Sequence, residues 1–426
     1  MKIVSLRFTA TAALLLVVAT RSRSAEMVVE NLDGPVTRIE IASFKTFMQS
    51  RVPSDNNIGN DWVYGDSGKD TEALGLLYEI TGDAAILDQM IRFADAALAC
   101  RNDSANGRIV WTGKRELCWP NKSPETGDGK YSGSENGDVI AHIGYCAKLI
   151  LKTPALGTNS VGIGDPRGYG RSYRERALTY VREMDRSLDT FILPNFVSAT
   201  DSNHYRWPES DSYRALGPRY QTAPGKPVPW NQQTMLSGGF LRLAECHEIL
   251  RDDPARVAKY YGIVRANMDW FLGDLHPDTR DGRTVYDWGY SQGRRSEDVP
   301  HGGYDIWGLW RAFESRRFDV PRATMTNFAN TLRYVIYDST NKVFSLRVDG
   351  TNPGNRGARN SIGASWVPLV AFLADGRPDF YHVVAEANRS GAKTKPLDDA
   401  FLLFMKHRRH QTSSTPAAGT SPRPTK

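Results

Sequence analysis

The chain lacks the features that mark the commoner enzyme chemistries. Its four cysteines, Cys100, Cys118, Cys146 and Cys246, are scattered through 426 residues, and none has metal-ligand spacing, which excludes a zinc-ribbon or cysteine-framework protein. There is no phosphate-cradling glycine loop, no Ser-His-Asp order and no cysteine set up as a nucleophile. No nucleic-acid motif is present, so the net charge of +6 and pI near 9.0 suit an anionic polysaccharide better than a nucleic acid. Strand signals are few: Gly107–Thr112, Thr284–Asp287 and Lys342–Leu346.

Long apolar runs are also missing. The longest, Thr11–Ala19, follows Lys2 and Arg7 and leads into small residues up to Ala25. It is too short to span a bilayer, and the pattern predicts a secretory signal peptide over 1–25 and a secreted, extracellular protein with no membrane partner. Residues 411–426 are mostly Ser, Thr, Pro, Ala, Gly and Lys, a composition that predicts a disordered tail. Between them, 26–410 shows no Pro/Gly/Ser linker and reads as one domain, expected to be monomeric. In an oxidising compartment Cys100 and Cys118 are placed to close a disulfide across a polar loop, while Cys146 and Cys246 sit in apolar helical patterns and read as buried thiols. Sequons at Asn102, Asn121 and Asn388 are candidate surface glycan sites if the source is eukaryotic.

What is abundant is helical periodicity. Residues 70–80 place Leu74, Leu77 and Tyr78 on one face, stop at Thr81-Gly82-Asp83, and give way to a second helix over 84–99. The same unit recurs over 233–250 and 255–272, joined by Arg251-Asp252-Asp253-Pro254. Further helices are predicted near 38–50, 134–152, 172–190, 303–315, 321–337, 361–374, 380–391 and 396–408. Repeated helical hairpins over this length predict an all-α fold, an (α/α) toroid whose inner helices line a central cup. The long loops carry many aromatics, among them Trp62, Tyr64, Trp111, Trp119, Tyr131, Tyr205, Trp207, Trp230, Tyr286, Trp288 and Tyr290, suited to stacking on sugar rings.

The densest polar segment is Arg294-Arg295-Ser296-Glu297-Asp298-Val299-Pro300-His301-Gly302-Gly303-Tyr304-Asp305. Breaking a chain of sugar acids by β-elimination needs a group that neutralises the C6 carboxylate, a base for the C5 proton and an acid for the leaving O4. Tyr304 is the candidate base and acid, His301 its partner or a carboxylate binder, and Arg295 the cation that favours a phenolate. Arg294 and Glu297 are candidate substrate-binding residues beside them. Trp230, Asn231 and Gln232, at a helix start, offer a stacking face and amide donors, although Asn231 reads equally well as an N-cap. His204 and Arg206 are candidates on a long loop. Ser134-Glu135-Asn136-Gly137-Asp138 reads chiefly as a capping segment.

On these residues the chain resembles the secreted α/α-toroid polyuronate lyases, especially the alginate and glucuronan lyases of polysaccharide lyase family 38. Trp230-Asn231-Gln232-Gln233, followed after a helical hairpin by Arg294-Arg295 and His301-Gly302-Gly303-Tyr304-Asp305, carries the likeness. Related toroidal lyases have Asn-Asn-His-x-x-Trp and then His-x-Tyr; here the first segment has glutamines and no histidine, and Asn203-His204-Tyr205-Arg206-Trp207 supplies the His-x-x-Trp spacing on a loop. The resemblance implies that Asn and His handle the carboxylate and that Tyr acts on the ring proton and leaving oxygen. The substrate implied is an anionic polysaccharide. Two other readings stand beside it: an inverting glycoside hydrolase using two of Asp66, Glu135, Asp138, Glu297 and Asp298, and a noncatalytic carbohydrate-binding protein. No cofactor is expected. Glu297, Asp298, His301 and Asp305 are the set that would hold a divalent cation if one were used.

Overall fold

The computed structural model describes residues 27–57, 59–63, 65–104, 107–122, 129–354, 357–373, 378–389 and 395–414. The expected signal peptide and most of the expected tail lie outside them. Among the described residues twelve long helical segments dominate. They are α1 (Arg38–Ser50), α2 (Asp66–Thr81), α3 (Ala84–Ala99), α4 (Asn136–Leu151), α5 (Tyr173–Ser187), α6 (Trp230–Leu250), α7 (Pro254–Gly273), α8 (Val299–Ser315), α9 (Arg322–Thr331), a 3₁₀ helix (Ala364–Phe372), α10 (Pro378–Arg389) and α11 (Pro396–Ser414).

Local chemistry sets their ends. Thr37 with Glu40, and Ser172 with Glu175, form capping boxes at the starts of α1 and α5. Asp83, Asp253 and Asp298 cap α3, α7 and α8 by accepting the backbone N–H of Ala85, Arg256 and His301. Gly82, at φ 62°, takes the left-handed turn that ends α2. Pro368 sits inside the segment predicted over 361–374; it has no N–H to donate, and the stretch winds as a 3₁₀ helix. The predicted strand at Gly107–Thr112 is irregular chain that leads into a turn at 111–112, whereas Arg283–Asp287 pairs with His276–Arg280 and Val343–Phe344 with Tyr337–Asp338 as antiparallel ribbons.

The helices close into a ring. The inner members α2, α4, α6, α8, the 3₁₀ helix and α11 each pack on the next, and α11 packs back on α2. Outside them, α3 covers α2 and α4, α5 covers α4, α7 covers α6, and α9 and α10 cover the 3₁₀ helix. This is the (α/α) toroid expected from the hairpin repeat. An inner helix is enclosed from both sides, so α4 is buried along nearly its whole length, in keeping with its apolar sequence. Gly137 on α4 lies against the backbone of Leu236 on α6, where any side chain would collide.

Across the middle of the ring lies a buried charge cluster. Glu72 of α2, 2% exposed, pairs with Arg311, with His142 at 3.2 Å and with Arg242 at 3.6 Å. It separates two mouths. At the C-terminal ends of the inner helices a cavity of about 390 Å³ is ringed by charges that neutralise one another, including Lys148–Glu245 at 2.6 Å, Arg317–Glu248 at 2.8 Å and Arg408–Glu314 at 2.7 Å. At the N-terminal ends lies the cup.

Two expectations are corrected here. Cys100 and Cys118 are free and buried; the Cys100 thiol turns instead to the Ser54 carbonyl at 3.7 Å. The three sequon asparagines are also buried, because their amides serve the fold. Asn102 donates to the Arg108 carbonyl and accepts its N–H, Asn121 donates to Glu135, and Asn388 accepts from Gly363 and donates to Val384. No helix among the described residues is long and apolar enough to cross a membrane. Helix α11 runs to Ser414, into the segment expected to be unstructured.

Candidate functional site

The cup is built from the first turns of the inner helices. Lys69 and Asp70 come from α2, Glu135 and Asp138 from the start of α4, Asn231 and Gln232 from α6, Pro300, His301 and Tyr304 from α8, and Asp398 from α11. All these helices point their N-termini into the same space. Their dipoles therefore raise its potential and favour an anion.

Asp298 starts α8, so the helix begins four residues ahead of Gly303 and already holds both His301 and Tyr304. Three residues apart, they share a face, and both line a cavity of about 490 Å³. The His301 ring is 41% exposed and its Nδ1 lies 2.6 Å from Asp298 Oδ2. That hydrogen bond raises its pKa against the opposing effect of partial burial, so the imidazolium persists to higher pH than in a free histidine. Tyr290 stands beside it, ring centres 5.2 Å apart.

The amides face the same cavity. Pro229 occupies the N-cap position of α6, so Asn231 is not the cap; its Oδ1 is buried without a hydrogen-bond partner among the described residues. Ser134 Oγ donates to Gln232 Oε1 at 2.7 Å, which leaves the Gln232 NH2 as the end able to serve a ligand. Glu135 sits at the start of α4 yet makes no side-chain cap bond. Its carboxylate turns toward the cavity, accepting from Asn121 at 2.7 Å and Tyr131 at 3.0 Å, and burial raises its pKa. Lys69, Lys122 and Arg219 are the cations of the lining.

Other candidates lie elsewhere. Arg294 and Arg295 are exposed on the loop before α8 and line none of the cup's cavities. Ser296, at φ 66°, turns the chain between these arginines and the helix. The cations lining the cup's cavities instead include Lys69, Lys122, Arg219 and, further along, Arg51, Lys395 and Arg359. Glu297 is 2% exposed, and burial beside Asp305 pushes its pKa up; it is packed behind the rim rather than presented to it. His204 stacks on Trp270 of α7 at 4.2 Å, and Arg206 lies over the same ring and pairs with Asp201, which places both away from the cup. Trp230 is buried edge-on against Trp270.

Most of the loop aromatics are likewise core. Trp62, Trp111, Trp119, Tyr205 and Trp288 are buried, while Tyr131 and Tyr290 reach the cup; Tyr64 lies outside the described residues. Glu297, Asp298 and His301 bring one ligand atom each within 4.8 Å of one another, a spacing that would admit a cation. Asp305, the fourth residue considered, instead accepts from Trp288 Nε1 at 2.9 Å.

No known family profile matches the chain, and no curated protein matches it. Solved structures similar to it include the following two. One is the GH76A α-1,6-mannanase from Salegentibacter sp. HEL1_6, at 12% identity and TM-score 0.39, covering 87% of this chain and 97% of the mannanase. The other is an inactive variant of that enzyme in complex with α-1,6-mannotriose, at 12% identity and TM-score 0.39, covering 82% and 89%. Likeness at this level carries no argument about reaction or substrate, and neither structure is a lyase.

Proposed function

We propose that the cup is the active site of an enzyme that cleaves a uronic-acid polymer by β-elimination. One observation carries this reading: a single cavity is lined by Tyr304, His301, Asn231, Gln232, Lys69, Lys122 and Arg219, with Glu135 as its carboxylate, so a phenol, an imidazole, two amides and three cations border one space. The His301 imidazolium and the Asn231 and Gln232 amides bind the C6 carboxylate and draw charge from the ring, which acidifies the C5 hydrogen. Tyr304 takes that proton. The C5–H electrons form the C4=C5 double bond, the C4–O4 bond breaks, and the departing O4 takes a proton from the tyrosine. A phenol acts as a base where cations favour its phenolate, and His301, Lys69 and Arg219 are the cations around it. The scheme neutralises charge with organic groups and calls on no metal.

A second reading is inverting hydrolysis. Glu135, buried and with a raised pKa, would be the acid, and Asp138, one turn along α4 and lining the adjoining cavity, the base; that reaction asks for carboxyls roughly 6.5–9.5 Å apart across a water. Products separate the two. Elimination leaves an unsaturated sugar that absorbs in the ultraviolet, so incubation with alginate, glucuronan, pectate and hyaluronan should give rising absorbance on one of them. Tyr304→Phe should lower the rate by about 10²–10⁴ with an unchanged melting temperature. New reducing ends without absorbance, and full activity in Tyr304→Phe, would establish hydrolysis instead.

A further inference from the structure

The cavity around Tyr304 does not stand alone. It shares Lys69, Pro300 and Tyr304 with a second cavity of about 500 Å³. The second shares Pro300 and Arg359 with a third of about 560 Å³, which also touches His301. The three form one path that bends around Pro300 and His301. Each is as large as a typical pocket for a whole small-molecule ligand, far more than one sugar residue fills.

Cations stand at the two junctions of this path, Lys69 between the first and second cavities and Arg359 between the second and third. Neither is in an ion pair among the described residues, whereas neighbouring cations are engaged: Arg51 with Asp70 and Asp66, Lys395 with Asp398, and Arg347 with the Ser296 carbonyl. Arg359 is held in place through its backbone, which exchanges hydrogen bonds with Phe344 at 2.7 and 2.8 Å. Its backbone is thus fixed, while its guanidinium has no carboxylate partner among the described residues.

We infer that the path binds several consecutive sugar acids of a polyuronate, with Lys69 and Arg359 docking carboxylates at successive points along it beyond the reacting sugar, and that cleavage falls within the polymer rather than at its ends. This rests on the elimination reading above. An uncompensated cation at each junction matches a ligand that repeats one carboxylate per unit, and a guanidinium can take a carboxylate through two parallel hydrogen bonds.

The test uses the full-length protein with size-defined oligomers and long chains of polyglucuronate and polymannuronate, on whichever of the two is cleaved. Arg359→Ala should raise KM for long substrates about tenfold while kcat stays within about twofold. KM for the shortest cleaved oligomer should hardly change, and Arg359→Lys should recover part of the loss. Early products of the wild-type protein should span many lengths. The melting temperature of Arg359→Ala checks that the fold is intact. Unaltered KM for long chains, or release of only the smallest products from the start, overturns the extended path while leaving elimination in place. If neither these polymers nor alginate, pectate and hyaluronan give an absorbing product, the elimination reading falls and this inference with it.

Discussion

Replacing Glu72 by Gln tests the physical core of the ring. The side chain is 3% exposed and its two oxygens serve Arg311, Arg242 and His142. Burial alone would raise its pKa, but these cations hold the carboxyl well below the usual range. Glutamine keeps the shape and removes the charge. Two guanidiniums and an imidazolium then share a buried site with only Asp138, 3.4 Å from His142, as a counter-charge, and the Nε atoms of Arg242 and Arg311 already lack hydrogen-bond partners among the described residues. Removing one partner of a buried ion cluster costs about 3–5 kcal/mol. At roughly 2.1 cal/mol/K of unfolding entropy per residue, a 426-residue chain unfolds with about 0.9 kcal/mol/K. The expected drop in melting temperature is therefore about 3–6 °C, read by scanning calorimetry. Glu314→Gln is the control: its pair with Arg408 is a third exposed and should cost about 1 °C or less. Equal, sub-degree shifts in both variants would refute the assignment of the cluster as the structural centre of the ring.

Three further outcomes are expected. Burial alone would lower the pKa of His142, but Asp138 and Glu72 raise it to about 9. Its contribution to stability is complete below the unfolded value near 6.5 and lost as pH rises through about 9, so the melting temperature should decline across that window and His142→Gln should show a shallower decline; parallel curves would contradict this. Chelation by EDTA should leave cleavage unchanged, and a loss restored by a divalent ion would implicate Glu297, Asp298 and His301. Produced in a glycosylating host, the folded protein should carry no glycan at Asn102, Asn121 or Asn388, as intact mass would show.

The helices were legible in sequence because their caps and periodicity are local. Thr37, Asp83, Ser172 and Asp253 announce helix starts without reference to the rest of the chain. The pairing of His301 with Tyr304 was legible for the same reason. Burial of loop aromatics was not, since a loop has no period from which to read a face. The cup's cations escaped because Lys69, Arg219 and Arg359 belong to no motif and meet only when α2, α6 and α8 close around them. Glu135 did carry a signal, a carboxylate at a helix start, but that signal also describes a cap, and coordinates were needed to see that the side chain caps nothing. The arginines beside His301 in sequence sit beyond the turn at Ser296, a reminder that proximity along a chain weakens across a single left-handed residue.

Glu40 of α1 and Lys406 of α11 form an ion pair at 2.8 Å with both residues almost fully buried. The pair spans 366 positions along the sequence, and it fastens the first helix to the last one of the ring. During synthesis on a ribosome, then, the early hairpins emerge with one flank bare and with Glu40 lacking its counter-charge. They stay so until nearly the whole polypeptide has been translated. A nascent chain of this architecture should be a client for chaperones late into its elongation, and a premature stop ahead of Lys406 should be punished far more heavily than the few residues it removes would suggest.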